Sequence, residues 1–451
     1  MSITTETVTS TASRVQLSPK NLGIARITDS PEGSLEIVDR LLQTNHDHSH
    51  VYWRDVGGHN HISHSVLSVL ALGGGPTQLQ RAYDDGIDIQ RPIPPLDQHI
   101  VKGLGDPDNF LAQIGNIDQY TNFLRFFEQK IAAEGWKAVV QEYLFSRTPI
   151  AEKLFAQLYE GAFHPFIHVG LGIEFEQSSI IAEGLAQAAT HDSARIDVFF
   201  HRSEELAANS ITPSKTLVQL LLDIRADDKL HYAARLPDGP VRVRDGVLGR
   251  AGEETASLAA QFHVKPEDLE RATAEAINVA AYTAGAAQRA GKARKIDFFH
   301  MHNVTSSLFL TVFINQPWIS AEDKVRIVER KARLDLVWYA ASSAAELHIE
   351  DVTNYKATKS AGLDWSSLYR LVNDAHDDGH VAKFVRALKN GEEVSKRFEQ
   401  GGGSEAFPIR GDSWLKIAQM SYDSTLDVGI DDKWIWGVGF DPLWARIPAL
   451  D

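Results

Sequence analysis

Hydrophobic residues recur at intervals of three and four along most of the chain, the spacing that places them on one face of an α-helix. One such run, over residues 63–72, ends at Gly73-Gly74-Gly75-Pro76, where glycine and proline predict that the helix stops. Pro76 then favours the first turn of the next helix. The same spacing predicts helices over residues 34–42, 78–83, 150–158, 178–189, 216–226, 254–262, 266–290, 302–314, 321–342 and 368–388, and two or three more within 109–146.

Alternation typical of a strand is limited to residues 239–249, where Val241, Val243 and Val247 are apolar. No repeat of fixed period and no clear linker of low complexity divides the chain. The sequence therefore predicts a mainly α protein, a single large multi-helix domain with short irregular or strand-like insertions. Residues 1–17 are predicted to form a disordered N-terminal tail, and residues 18–451 the helical domain.

Composition narrows the chemistry. The 451 residues carry a formal charge of -15 and include no cysteine. The acidic balance disfavours nucleic acid as a partner, and the lack of cysteine excludes disulfides, thiolate zinc sites and iron–sulfur clusters. We find no signal peptide and no apolar run of the ~20 residues that span a bilayer. We therefore expect a cytoplasmic, soluble protein that does not bind membranes, in which any metal is held by histidine or oxygen ligands.

Two pairs of histidines have helical spacing. His61 and His64 are three residues apart after Asn60, a natural N-cap, so both side chains can face one point. His164 and His168 are four apart, with Pro165 at a position that suits a first helical turn. Each pair also has an ordinary interpretation, as exposed residues near a helix end or as imidazoles bonded to backbone carbonyls. Glu174 is a possible acceptor for a metal-bound histidine of the second pair.

Two further segments combine polar groups with apolar helices. His302 precedes a strongly apolar run, where Asn303 or Thr305 could simply cap the helix. His380 and Lys383 are three apart, and the neighbours of Lys383 are apolar. The ordinary interpretation of that lysine is a packed stem with its ammonium group reaching solvent.

Other patterns point away from common enzyme classes. There is no Walker loop, no complete dinucleotide fingerprint, no His-Glu-x-x-His and no nucleophile elbow. The alternating His46, His48 and His50 lie among polar residues and are interpreted as solvent-exposed.

Four short motifs in order, spanning most of the chain, make it resemble the questin oxidase-like family of fungal polyketide-tailoring enzymes. They are Asn60-His61-x-x-His64, Phe163-His164-Pro165-x-Ile167-His168, Asp297-Phe298-Phe299-x-Met301-His302 and His380-Val381-x-Lys383. The resemblance implies an oxidase that opens a ring of an anthraquinone, a small aromatic polyketide. The reaction would be a formal Baeyer–Villiger insertion or a dioxygenase-type C–C cleavage.

One branch of that family is associated with non-haem iron held by four histidines and a carboxylated lysine. Carried onto this sequence, the resemblance implies an Fe(II) site with O2 as co-substrate, a carbamate on Lys383 formed from carbon dioxide, and catalytic His61 and His164 beside the metal. An exchange of His61 for His64 is left open. The implied metal ligands are His64, His168, His302, His380 and Lys383.

Two other functions are compatible with the sequence. One is an NADPH-dependent Baeyer–Villiger-type monooxygenase without fixed iron, which would consume reductant in step with product. The other is a helical protein that binds an aromatic ligand without converting it. In each case tryptophans could stack on aromatic rings, although such residues are more often part of a core. The tryptophans considered are Trp365, Trp434, Trp436 and Trp444.

Overall fold

Helices form along most of the chain, as the spacing of apolar residues predicts. The computed structural model describes residues 11–55 and 57–450, and the mainly α class is confirmed. A short antiparallel pair joins β1 (Tyr52–Arg54) to β2 (Gly58–His59). Within the described ranges, no helix is both long and apolar enough to cross a membrane.

The chain divides into two units. The first comprises the described parts of Met1–Leu158 together with Pro165–Asp192, and the second Tyr159–His164 together with the described parts of Ser193–Asp451.

Helices of the first part of the chain begin where the sequence supplies caps or proline. Pro76, Pro107 and Pro149 each occupy the first turn of a helix, where the missing N–H costs no hydrogen bond. The helices are α1 Ser34–His48, α2 Ile62–Ala71, α3 Pro76–Ile87, α4 Gln98–Gly103, α5 Pro107–Gln113, α6 Tyr120–Glu134, α7 Trp136–Val140, α8 Pro149–Gln157, α9 Glu160–Glu174 and α10 Ser178–Thr190, with a 3-10 turn at Ile117–Gln119 and a π-helix at Gln141–Phe145.

Aromatic residues fill part of the core of the first unit. Phe110 packs edge-to-face on Phe123, with ring centroids 5.0 Å apart, and Tyr143 lies 5.2 Å from Phe127. Such edge-to-face pairs stabilise a core beyond the area that they bury. Helix α6, which carries two of these rings, packs on α10.

The prediction that residues 1–17 form a disordered tail is wrong for the last of these residues. Residues 1–10 lie outside the described ranges, but Val15 and Leu17 are buried. Their backbone N–H groups donate to the side chains of Gln43 and Asp39, at 2.9 and 2.8 Å. These partners lie more than twenty residues along the chain, so local composition did not reveal the packing.

Helix α9 contains a sharp change of direction. Gly161, Ala162 and Phe163 have φ values of 54°, 54° and 68°, the left-handed region that costs about 1–2 kcal/mol for each residue with a side chain. The regular part of α9 therefore begins after Phe163, close to Pro165, as the sequence predicts for a first turn.

The second unit is built around the long helices α15, α16, α17, α20 and α21, which pack on one another. Most residues of α16 are buried, in keeping with a sequence that contains no Asp, Glu, Lys or Arg. The helices are α11 Ile196–Ala208, α12 Leu217–Ala226, α13 Asp228–His231, α14 Leu248–Ala259, α15 Leu269–Ala286, α16 Phe298–Ile314, α17 Ala321–Ala341, α18 Ile349–Thr353, α19 Trp365–Asp374, α20 His380–Ser395 and α21 Ser413–Thr425.

Short helical turns connect several of these helices in the second unit. They are 3-10 turns at Leu236–Val241, Pro266–Asp268, Lys396–Phe398, Ser404–Ala406, Ile430–Asp432 and Asp441–Arg446, and a π-helix at Arg242–Val247.

Two predicted elements of this unit are wrong. Residues 239–249 form no strand but the end of a 3-10 turn followed by a π-helix, and Val243 and Val247 are both buried there. A spacing of four between apolar residues fits a helical turn as well as an alternating strand. The helix predicted over residues 368–388 is two helices, because Gly379 interrupts it with φ 89°.

Candidate metal centre and a paired histidine network

Three histidines distant in sequence meet in the second unit. The ring centroid of His302 lies 4.9 Å from that of His164 and 5.0 Å from that of His380. Ring nitrogens of His164 and His380 lie within 4.8 Å of each other. All three residues are buried. Together with Lys383, one turn beyond His380 on α20, they are called the His302 cluster.

The start of α16 fixes the ring of His302. Asp297 caps this helix by accepting the backbone N–H groups of Phe299 and His300, at 2.7 and 3.1 Å. Nδ1 of His302 is hydrogen-bonded to the carbonyl of Phe298 at 2.7 Å, which leaves Nε2 as the unprotonated nitrogen. Within the described residues, that Nε2 is buried without a hydrogen-bond partner.

The sequence predicts a cap for this helix but assigns it to the wrong residues. Asp297, rather than Asn303 or Thr305, is the cap, and the hydroxyl of Thr305 donates to the carbonyl of His302 at 3.2 Å. His302 lies in the second turn of the helix instead of at its N-terminal end.

His380 and His164 are held in the same manner as His302. Nδ1 of His380 contacts a carboxylate oxygen of Asp378 at 2.7 Å, and Nδ1 of His164 contacts the carbonyl of Gly161 at 2.5 Å. Gly379, at φ 89°, allows the turn that places His380 at the start of α20. An Nδ1 held by a carbonyl or carboxylate oxygen, with Nε2 facing the metal, is the arrangement common among metal-bound histidines.

Lys383 is buried, so the interpretation as a lysine reaching solvent is wrong. Within the described residues its Nζ has no hydrogen-bond partner. Burial lowers the pKa of Lys383 to about 8, against the opposing effect of Asp378 and Asp377. Burial also lowers the pKa values of His302 and His380 well below the usual range, and neighbouring positive charge adds to that effect. The imidazoles are therefore neutral at pH 7, the form that binds a metal.

This donor set fits a divalent transition metal. A buried nitrogen without a partner costs free energy, and the unpaired nitrogens of His302 and Lys383 lie on two helices, α16 and α20, that pack against each other. Imidazole nitrogens, with an oxygen ligand if Lys383 carries a carbamate, match the preferences of non-haem iron.

A different set of histidines lies in the first unit. Nε2 of His64 is 3.2 Å from Nδ1 of His168, whose Nε2 is 2.7 Å from Glu183. Glu183 in turn contacts Nδ1 of His46 at 2.6 Å, and Nε2 of His46 contacts Glu128 at 2.9 Å. These five residues are called the Glu183 network. The ring of His61 lies 5.6 Å from that of His64, so the predicted common face of this pair is confirmed.

Charges in the Glu183 network compensate one another. Burial by itself would lower the pKa of His46, but hydrogen bonds to Glu128 and Glu183 outweigh it and raise that pKa to about 10. Burial would raise the pKa of Glu183, but hydrogen bonds from His168 and His46 lower it to about 2. His46 and Glu183 thus form a buried pair of opposite charges.

Sequence reasoning missed the centre of this network. The sequence predicts His46, His48 and His50 to be solvent-exposed, but His46 and His50 are buried and only His48 of the three is exposed. Glu183, rather than Glu174, bonds to His168, and Glu174 accepts the backbone N–H of Ile24 at 2.7 Å. One signal was available, because Glu183 stands in the otherwise small and apolar sequence of α10.

The predicted ligands thus fall into two groups, one in each unit. His302, His380 and Lys383 come together with His164, which was assigned to catalysis. His64 and His168 contact each other beside His61. Which of these residues bind a metal stays a prediction.

Comparison with known proteins agrees with the motifs. Residues 58–388 match a family model described as Questin oxidase-like. The match covers all four histidine segments.

Individual relatives align over nearly the whole chain. Baeyer-Villiger oxidase ptaJ of Pestalotiopsis fici is 68% identical over 98% of this chain and 99% of its own length. Proteins named Questin oxidase are 56% identical in Aspergillus terreus and 54% identical in Aspergillus fumigatus, each over 98% of this chain and at least 99% of the relative.

Proposed function

The chain belongs to the questin oxidase-like family, and from that premise we propose that it oxidatively opens a ring of an anthraquinone-type aromatic polyketide. It is an oxidoreductase, as its relatives are. Their names, questin oxidase and Baeyer-Villiger oxidase, support a substrate of this chemical class and a role in fungal secondary metabolism.

One observation carries the proposal that the enzyme uses iron. The His302 cluster buries an imidazole nitrogen and a lysine amine, neither of which has a hydrogen-bond partner within the described residues. Such an arrangement lowers the stability of the fold, because a buried polar group without a hydrogen bond costs free energy. A bound metal would satisfy both, since it accepts electron pairs from neutral nitrogen and anionic oxygen donors.

We assign His302, His380 and Lys383 as ligands of Fe(II). We propose His164 as a further ligand because its Nδ1 is held as those of His302 and His380 are. That His64 and His168 also bind the metal stays a prediction from the resemblance. When bound, iron would supply the redox chemistry through which dioxygen reacts with the aromatic ring.

Residues around the ligands orient them. Asp378 and the carbonyls of Phe298 and Gly161 hold the three Nδ1 atoms, and so select the tautomer in which Nε2 binds. Burial keeps the imidazoles of His302 and His380 neutral, so that little reorganisation accompanies metal binding.

Lys383 would supply the anionic ligand. Its pKa, lowered to about 8, makes the neutral amine more abundant near neutral pH than in an ordinary lysine, and this neutral form adds to the carbon of carbon dioxide to form an N–C bond. One N–H proton leaves to water, and the carbamate retains a single negative charge. That charge would partly neutralise the metal in a site whose other ligands are uncharged.

A second reaction type is favoured by the names of the relatives, one of which is a Baeyer-Villiger monooxygenase of Cryptosporiopsis. A monooxygenase inserts one oxygen atom beside a carbonyl and reduces the other to water, which requires two electrons from a donor such as NADPH. A dioxygenase-type cleavage places both oxygen atoms in the product and requires no donor. The ratio of NADPH consumed to product formed therefore separates the two reactions.

Elemental analysis with a turnover assay tests the iron proposal. Protein purified without chelator should contain about one iron per chain and convert a hydroxylated anthraquinone with consumption of O2. His302→Ala should lose both properties, whereas the control His348→Ala, at an exposed position, should keep them. Full turnover by metal-free protein would contradict the iron mechanism, and product formed in step with NADPH would favour the monooxygenase.

A further inference from the structure

One tryptophan differs from all the others in its exposure. Of the nine tryptophans, all within the described ranges, only Trp436 is exposed, with 41% of its surface accessible. We propose that Trp436 and Phe298 form an aromatic ledge that binds the flat face of a planar polycyclic substrate beside the His302 cluster. This inference rests on the proposed function and adds to it a specific substrate-binding surface.

Backbone hydrogen bonds fix the segment that carries Trp436. Ile435 donates its N–H to the carbonyl of Ile296 at 3.1 Å and accepts the N–H of Phe298 at 2.8 Å, so the two segments run in parallel. The second carboxylate oxygen of Asp297 accepts the N–H groups of Gly437 and Val438, at 2.9 and 2.7 Å. Since Asp297 also caps α16, one residue aligns the helix and the tryptophan segment.

The indole of Trp436 is fixed as well as its backbone. Its ring stacks on Phe298 with centroids 3.8 Å apart and planes 12° from parallel, and it meets Phe299 edge-on at 5.8 Å. Arg242 donates to its carbonyl at 2.7 Å. A rigid aromatic face presented to solvent binds a flat ring with little loss of conformational entropy.

Phe298 connects this surface to the candidate metal ligands. Its ring centroid lies 4.5 Å from that of His302 and 5.4 Å from that of His380. Phe298 is itself only half-buried. A fused ring system stacked on the other face of Trp436 and extending past the edge of Phe298 would therefore reach toward the side of the cluster on which His302 and His380 are found.

The other tryptophans considered from the sequence do not fit this role. Trp434 and Trp444 are buried, and the indole N–H of Trp444 donates to the carbonyl of Val438 at 2.7 Å. Trp365 is half-buried, donates to Glu392 at 3.0 Å and has the Lys389 ammonium over its ring. Their packing accounts for them, whereas the exposed face of Trp436 has no such explanation within the described residues.

The ledge predicts a particular split in the kinetics. Phe298 lies between Trp436 and the imidazoles, so Trp436 would bind substrate without touching the reacting atoms. Loss of one aromatic stack weakens binding by roughly tenfold. Trp436→Ala should therefore raise KM and the Kd of a hydroxyanthraquinone about tenfold while kcat stays within about twofold. Trp436→Phe should recover most of the affinity, because it restores a flat ring.

The experiment titrates wild type and variants with a hydroxyanthraquinone, followed by its absorbance, and adds steady-state kinetics on the same preparations. Trp365→Ala is the matched control and should bind as wild type does. Iron content should be unchanged in Trp436→Ala, and thermal unfolding checks that the variant stays folded despite the loss of packing on Phe298 and Phe299.

Each outcome has a defined meaning. Weaker binding by Trp436→Ala, with recovery in Trp436→Phe and an unchanged control, supports the ledge. If wild type and Trp436→Ala bind and convert the anthraquinone equally well, the ledge is overturned and the proposed function is untouched. If wild type neither binds nor converts any hydroxyanthraquinone, the proposed function fails and the ledge fails with it.

Discussion

Two groups of buried histidines, one in each unit, meet the cost of burial in opposite ways. In the Glu183 network, the ring nitrogens of His46 contact the carboxylates of Glu183 and Glu128, and Nε2 of His168 contacts the other oxygen of Glu183. In the His302 cluster, Nδ1 of each ring is held, and Nε2 of His302 is unpaired within the described residues. His46 and Glu183 of the first group are charged and paired, whereas His302 of the second is neutral and has an unpaired nitrogen within the described residues.

The difference separates a structural role from a ligand-binding role. Paired buried charges are compatible with a stable fold, although removing one partner is costly. Unpaired buried nitrogens lower stability and persist where function requires them. Matched substitutions in the two groups should therefore have opposite effects on stability and activity.

The largest effect is expected from His302→Leu. It removes a proposed ligand and an unpaired polar atom together, so turnover should fall about a thousandfold or more while the metal-free protein is at least as stable as wild type. Turnover assays and urea unfolding of chelator-treated protein measure the two quantities. A large loss of stability with iron retained would assign His302 to the structural class instead.

The same change in the other group, His46→Leu, should reverse that pattern. It leaves Glu128 and Glu183 buried without their shared cation, which should lower the free energy of unfolding by about 3–5 kcal/mol. Because folding raises the pKa of His46 from 6.5 to about 10, its contribution is complete below pH 6.5 and disappears as pH rises through 10. Urea unfolding between pH 6 and 10 should show that decline in wild type and lose it in the variant. An equal decline in both would contradict the assignment.

The third expected effect distinguishes two buried lysines. Folding lowers the pKa of Lys383 from 10.5 to about 8, so its charge destabilises the metal-free protein fully below pH 8, and the penalty vanishes above pH 10.5. Lys383→Met should therefore add on the order of 3 kcal/mol of stability at pH 7, and much less at pH 10.

The control for that prediction is Lys331→Met. The Lys331 ammonium is buried but paired with Asp335 at 2.5 Å, so its removal should lower stability. Unfolding would be measured in buffer free of metal and carbon dioxide. A gain from Lys383→Met that is the same at both pH values would exclude titration of the amine as its cause.

The smallest effect concerns the turn before His380. Gly379→Ala places a side chain at φ 89°, which should cost about 1–2 kcal/mol and also weaken iron binding by moving His380. Gly362 provides a matched control, because it has φ 73° and a Cβ added there would meet no atom within 4 Å. Gly362→Ala should cost similar stability and leave iron binding unchanged. Equal iron affinity in the two variants would show that the backbone of Gly379 does not position the ligand.

Local patterns predicted much of this molecule. The spacing of apolar residues located most of the long helices, and the motifs identified His302, His380 and Lys383, which the fold brings together with His164. The family resemblance, which four motifs carried, is confirmed. In each case the information lay within one or two helical turns.

What was missed depends on partners distant in the sequence. His46 stands in a polar stretch, and only Glu128 and Glu183, 82 and 137 residues further on, make it a buried cation. Residues 375–379 interrupt a run whose apolar periodicity continues on both sides, so the pattern alone did not reveal the break. The pairing of the Trp436 segment with the start of α16 likewise has no local signature.

That pairing has a consequence for synthesis on the ribosome. The Asp297 carboxylate binds a backbone N–H 140 residues further along the chain. At 5–20 residues per second, roughly 7–28 seconds of translation separate the two. The beginning of α16, with His302 and the Phe298 ring, therefore lacks its final support until the last part of the chain has emerged. Truncation before residue 434 should give a protein in which that end of the helix frays, whereas fusion partners that leave residues 434–438 intact should not disturb it.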